Sequence, residues 1–278
     1  MIPLPKSALA GLALLATAFV SLPAAAEMDA ATSAALDQAL AGAHRSDANK
    51  ARDQYRHPKE TLTFFGLKQG QTVVEIWPGG GWYTEVLAPV MKGKGTYVAA
   101  SWDKDSTTDY VQRGLKRYAE KLAATPEAYS EVKVTEFGPK KLAMVPPGSA
   151  DLVLTFRNVH NWMADDWAED AFKAMYAALK PGGVLGVVEH RANTDQPQDP
   201  KAANGYVRQD HVVKLAEAAG FKLAGTSEVN ANPKDTKDHP KGVWTLPPSF
   251  ALKDQDKDKY AAIGESDRMT LRFVKPAK

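Results

Sequence analysis

The sequence has no cysteine in its 278 residues. That excludes disulfides, a zinc–thiolate site, a thiol nucleophile and a lipidated cysteine, so the fold must be held by its core alone. Net charge is also small. A formal +2 leaves no electrostatic footprint for nucleic acid or for an anionic membrane surface. Long apolar runs are scarce. The one extended run, residues 8–20, is shorter than the roughly 20 residues that a bilayer-spanning helix needs. No internal repeat is present, and no glycine-rich turn ends in the Gly-Lys-Ser/Thr of an ATP-type phosphate loop.

The apolar run has the flanks of a secretory signal. Lys6 precedes it, and Ala24, Ala25 and Ala26 supply small residues before Glu27. Residues 1–26 are therefore expected to be a signal peptide and the mature protein to be exported, periplasmic or secreted, with no membrane anchor after cleavage. The alternative is an uncleaved anchor. N-terminal sequencing of the exported protein is expected to begin at Glu27; a chain still starting at Met1 in the cytoplasm would overturn the assignment. Removing the signal leaves about 250 residues, enough for one large or two small domains.

Downstream, strand-like and helix-like patterns alternate. Helical patterns fall at 30–43, 58–65, 82–91, 106–123, 165–179 and 208–219. Short apolar strand patterns fall at 72–76, 96–100, 132–136, 151–156, 184–189, 221–229 and 269–274. This order predicts an α/β fold: a Rossmann-like, doubly wound sheet, mostly parallel. The division expected is an N-terminal helical segment at 27–60 and a single domain at 61–278. Two polar, proline-containing stretches interrupt the rhythm, 192–206 and 231–259. The second holds an apolar island at 243–246. Such segments are either lids or solvated insertions, and 231–259 is expected to dock over a cleft through Trp244 when ligand fills it.

Ligands of open parallel sheets bind at the carboxyl ends of the strands. The first strand runs from Glu75 and Ile76 into Trp77, Pro78, Gly79, Gly80 and Gly81. Thr84 occupies the third-glycine position of the dinucleotide fingerprint, which argues against NAD. The surrounding series is more specific. DLVLTFRNVHNW at 151–162, LKPGGVL at 179–185, AAGF at 218–221 and DRMTLRFVKP at 267–276 follow the glycine loop in order. Together they resemble the motif series of class I S-adenosylmethionine-dependent methyltransferases over residues 61–276. The resemblance implies an antiparallel last strand and S-adenosylmethionine as cofactor. It places Glu75, Gly79 and Gly81 around the methionine and ribose part, and Asn158 at the reacting centre. Trp77 stands where that family has its first glycine. Ser101 stands at its ribose-gripping acid, with Asp103 two residues on as the substitute.

Four tryptophans, Trp77, Trp82, Trp102 and Trp162, fall at the carboxyl ends of strands one, two and four and are expected to line one pocket for a planar or apolar molecule. Trp77 is expected to turn away from the cleft, onto the helix that follows. His160, Glu189 and His190 are the candidate catalytic groups, each histidine also having a purely structural reading. No metal site is expected. The function expected is methyl transfer to a small, aromatic or apolar molecule. The alternative is an exported protein of this fold that binds another small ligand without S-adenosylmethionine.

Overall fold

The computed structural model describes residues 28–277; the signal-peptide reading of residues 1–26 concerns residues outside that range. Four helices lead: α1 (Ala30–Ala41), α2 (Asp47–Lys50), α3 (Asp53–Arg56) and α4 (Pro58–Phe65). There follow β1 (Thr72–Ile76), α5 (Thr84–Met91), β2 (Thr96–Ser101), α6 (Asp109–Ala124), α7 (Pro126–Tyr129) and β3 (Lys133–Glu136). Then come β4 (Ala150–Phe156), α8 (Val159–Ala164), α9 (Ala168–Ala178), β5 (Leu179–His190), α10 (Gln209–Ala218) and β6 (Lys222–Ser227). A 3₁₀ turn at Gly242–Thr245, α11 (Lys257–Ile263) and β7 (Arg268–Val274) complete the order.

The seven strands form one sheet in the order β3-β2-β1-β4-β5-β7-β6. β1 pairs in parallel with β2 and β4, and β7 runs antiparallel between β5 and β6. This is the doubly wound arrangement with an antiparallel last strand that the sequence pattern predicts. The strand period of two explains the layers. Val73, Leu152 and Leu154 bury against α1, α4 and α5, while Val74, Ile76 and Val153 bury against α8 and α9. Strand order reverses at β1/β4, and that switch point opens the ligand cleft at the carboxyl ends of the strands.

Three local readings change. Pro181, Gly182 and Gly183 do not separate α9 from β5. They form an excursion inside β5, which pairs Ala150 with Leu179 and then shifts register to pair Leu152 with Val184. Gly182 N–H donates to the Lys275 carbonyl, so the excursion is tied to the residues after β7. The loop after β4 forms α8, a helix of six residues too short for a periodic signal. The N-terminal helices are also not a separate unit in space. Leu36 and Ala39 share a core cluster with Val86 and Leu87.

Among the described residues no helix is long and apolar enough to cross a membrane. Segment 231–259 is seated on the domain. Val243 and Leu246 are buried, and Val243 N–H donates to the Asn204 carbonyl at 2.9 Å. Buried Asp235 stitches the segment down. It accepts from Tyr206 Oη, from the Asp267 N–H and from His239 Nε2. Trp244, expected to be the anchor, is instead 40% exposed and stands over the cleft beside His160.

Candidate functional site

The cleft at the switch point has a volume of about 800 Å³. Its floor is the loop after β1. Trp77, Gly79 and Gly81 all take positive φ, at 48°, 59° and 76°. For a tryptophan that conformation costs roughly 1–2 kcal/mol. The indole offsets it by burial and by donating Nε1–H to the Phe137 carbonyl at 2.8 Å. It packs against Trp102, Trp162 and Trp167 at ring-centroid distances of 6.2, 6.0 and 5.6 Å. Trp77 therefore does not turn onto α5. It leans toward the ends of β2 and β3 and forms part of the cleft wall.

The three glycines have separate roles. A Cβ at Gly79 or Gly80 would meet nothing within 4 Å, so their backbone lies open to a ligand. A Cβ at Gly81 would meet Lys121 and Tyr118 on α6, so Gly81 makes the turn and is not part of the cleft lining. Glu75 also lies behind the wall. Strand alternation turns its carboxylate to the α5 face, where Tyr97 Oη donates to it at 2.5 Å and Thr84 links Tyr97 to Tyr118. Burial pushes its pKa up to about 7 against the pull of the Tyr97 hydrogen bond and the Arg157 charge.

Asn158 lines the cleft and donates to the Ile76 carbonyl at 2.9 Å, fixing the β4 loop against β1. Asp103 lines it too, but Lys141 Nζ approaches its carboxylate at 2.8 Å and also bonds Glu136. The Lys141 hydrogen bond holds the Asp103 pKa below the ordinary range. Trp82 and Trp102 face the cleft. Trp102 fits because Gly114 faces it; a Cβ there would come within 2.4 Å of the indole. Trp162 does not face the cleft. α8 turns it inward and buries it fully in the core.

His160, Glu189 and His190 do come together. Glu189 is fully buried at the end of β5. It accepts the backbone N–H of Val159 at 2.6 Å, of His160 at 3.3 Å and of His190 at 2.8 Å. With those backbone donors on the carboxylate, His160 Nδ1 at 3.0 Å is placed to donate to it as well. His160 Nε2 then holds a lone pair on a residue that lines the cleft. His190 Nδ1 lies 2.5 Å from Ser266 Oγ, and burial holds its pKa well below the ordinary value. Donor atoms of the three residues lie within 4.8 Å of one another. Both Glu189 oxygens already accept hydrogen bonds.

Sequence reading missed a second group on the cleft wall: Arg52, Arg56, Arg157, Arg268 and Glu265. One signal was available. A strand antiparallel to the rest begins at the edge where the others end, so the start of β7 belongs to the cleft.

No family model matches the chain, and no curated protein matches it. Solved structures do. A SAM-dependent methyltransferase from Aquifex aeolicus superposes with TM-score 0.55 at 17% identity, covering 81% of this chain and 93% of that one. The [4+2]-cyclase SpnF gives 0.56 at 16% identity over 89% and 94%. The carbon methyltransferase CurJ gives 0.52 at 12% identity over 88% of this chain and 59% of its own. At these identities the likeness shows the fold, which is that of the class I methyltransferases.

Proposed function

We propose that the protein catalyses S-adenosylmethionine-dependent methyl transfer to a small molecule, with His160 as general base. The observation that carries this is the His160–Glu189 pair, a histidine held by a buried carboxylate with its free nitrogen at a cleft built on an open glycine turn. The cleft fits the cofactor in two respects: nothing crowds the backbone at Gly79 and Gly80, and its volume of about 800 Å³ leaves room for a second small molecule. Gly79, Gly80, Asn158 and Asp103 would hold the cofactor, with Trp77 and Trp102 as aromatic walls. When bound it supplies an electrophilic methyl group. The protein's own work is to exclude water under Trp244, to orient the acceptor, and to receive its proton on His160 Nε2. Glu189 then stabilises the imidazolium that forms. Export of the mature chain remains part of this proposal, on the residues at 6–27.

A second reading has its own support. Asp103 is already paired with Lys141, and the Trp77 indole takes up part of the cleft wall toward Phe137. A cyclase shares the fold. Calorimetry of the mature protein with S-adenosylmethionine and S-adenosylhomocysteine separates the two. The expected result is saturable binding below millimolar concentration, with Trp77→Gly costing stability and not improving affinity. No binding by folded wild type at millimolar cofactor, or tighter binding by Trp77→Gly, would overturn methyl transfer in favour of another small ligand.

A further inference from the structure

The wall of the cleft formed by the N-terminal helices, the end of β4 and the start of β7 carries more positive charge than methyl transfer explains. Arg52 caps the start of α3 and Arg56 ends it, Arg157 follows β4 with φ 61°, and Arg268 opens β7. All four line the cleft, with Glu265 as the carboxylate among them. Arg52 Nε lies 2.6 Å and Arg56 Nε 3.2 Å from Glu265, and Arg268 also bonds it. The site is built and desolvated. The side chains of Arg56, Arg268 and Glu265 are 4%, 3% and 2% exposed. Arg56 lies over the Trp82 ring at 4.6 Å.

Glu265 does not satisfy this group. Arg56 Nη1 and Arg268 Nε are buried without a hydrogen-bond partner. Among the described residues nothing hydrogen-bonds or ion-pairs with the Arg157 guanidinium, and burial, then Arg268, pushes its pKa down to about 10. The other carboxylates of the cleft, Asp103 and Asp165, belong to the β2 and α8 sides, and Asp103 is held by Lys141. Gathering like charges out of water is costly unless a counter-charge completes the set. The cofactor offers at most one such group, its α-carboxylate. Its sulfonium and α-ammonium outweigh its single α-carboxylate, so it enters the cleft with net positive charge.

We propose that Arg52, Arg56, Arg157 and Arg268 form a binding site for an oxyanion, a carboxylate or phosphate carried by the acceptor molecule whose other end faces His160. Planar guanidinium groups suit such oxygens by paired N–H donation. Assignment to the acceptor rests on the methyl-transfer reading; the oxyanion site itself does not.

The test uses sodium phosphate and sodium malonate as probes on the mature protein, against sodium chloride at equal ionic strength, by calorimetry and thermal melting. At least one probe is expected to bind and to raise the melting temperature beyond the chloride control. Arg157→Met, which breaks no side-chain hydrogen bond or ion pair, is expected to keep the fold, melt no lower than wild type, and weaken the probe at least tenfold. Arg56→Met should weaken it similarly. Neither probe stabilising more than chloride, or unchanged affinity in Arg157→Met, would overturn the site. Repeating the titration with saturating S-adenosylhomocysteine identifies the source. Retained probe binding supports the acceptor, and competition would overturn it by giving the wall to the cofactor's carboxylate. If S-adenosylhomocysteine does not bind but the probes do, methyl transfer falls and the oxyanion site stands.

Discussion

Glu189→Ala is expected to lose about 3–5 kcal/mol of stability, because removing one partner leaves several buried donors unmet. Three backbone N–H groups and His160 Nδ1 converge on this fully buried carboxylate. Two of the three belong to the first turn of α8, whose N–H groups have no intrahelical partner. His160→Asn separates catalysis from this scaffolding. It keeps Glu189 and its backbone donors, so stability is expected to change by about 1 kcal/mol or less. On the methyl-transfer proposal, turnover, read as S-adenosylhomocysteine release, is expected to fall by about 10²–10⁴ with little change in KM. Chemical denaturation of both variants checks the first half. A Glu189→Ala protein as stable as wild type would contradict the buried network, and full turnover in His160→Asn would remove His160 as base.

Glu75→Gln is expected to stabilise the protein at alkaline pH and to do little in acid. The Glu75 pKa is raised from 4.5 to about 7 by burial. The folded state therefore holds this proton more tightly than the unfolded state does, and stability is lost as pH rises from about 4.5 through about 7. A tenfold change in proton affinity is worth about 1.4 kcal/mol, so keeping the carboxylate ionised in the folded protein costs about 3 kcal/mol at pH 8. Glutamine keeps an acceptor for Tyr97 and removes the charge. Urea unfolding of wild type and variant at pH 5 and pH 8 is expected to show a gain confined to the higher pH. An equal effect at both would mean that Glu75 does not titrate in this range.

Strand positions are legible because a buried parallel strand announces itself as a short apolar run bounded by glycine, proline or charge. DLVLTF at 151–156 is such a run, while MTLRFV at 269–274, the antiparallel strand, shows as alternation of apolar residues with Thr270 and Arg272. The pairing of His160 with Glu189 is also within reach, since one follows β4 and the other lies at the end of β5, and both strands end at one edge. A loop at 157–164 would leave Trp162 free to face the cleft; once α8 forms, its inner face turns that indole into the core. Trp77 goes another way from the one expected because the Phe137 carbonyl, sixty residues away, supplies its hydrogen bond. The arginine wall is invisible in the sequence for a similar reason. Arg52 and Glu265 meet across a sequence separation of 213, and no local pattern marks such a pair.

The place of β7 in the sheet bears on how the chain is made. Its two neighbours, β5 and β6, both precede it in sequence. Each waits during synthesis with an open edge until residues 268–274 leave the ribosome. Arg268 and Glu265 arrive in the same stretch, so a nascent chain has an incomplete sheet and three of the five members of its charged wall. A premature stop ahead of β7 should therefore leave β5 with a bare edge and β6 with no neighbour, giving a chain that aggregates or is degraded rather than a merely weakened fold.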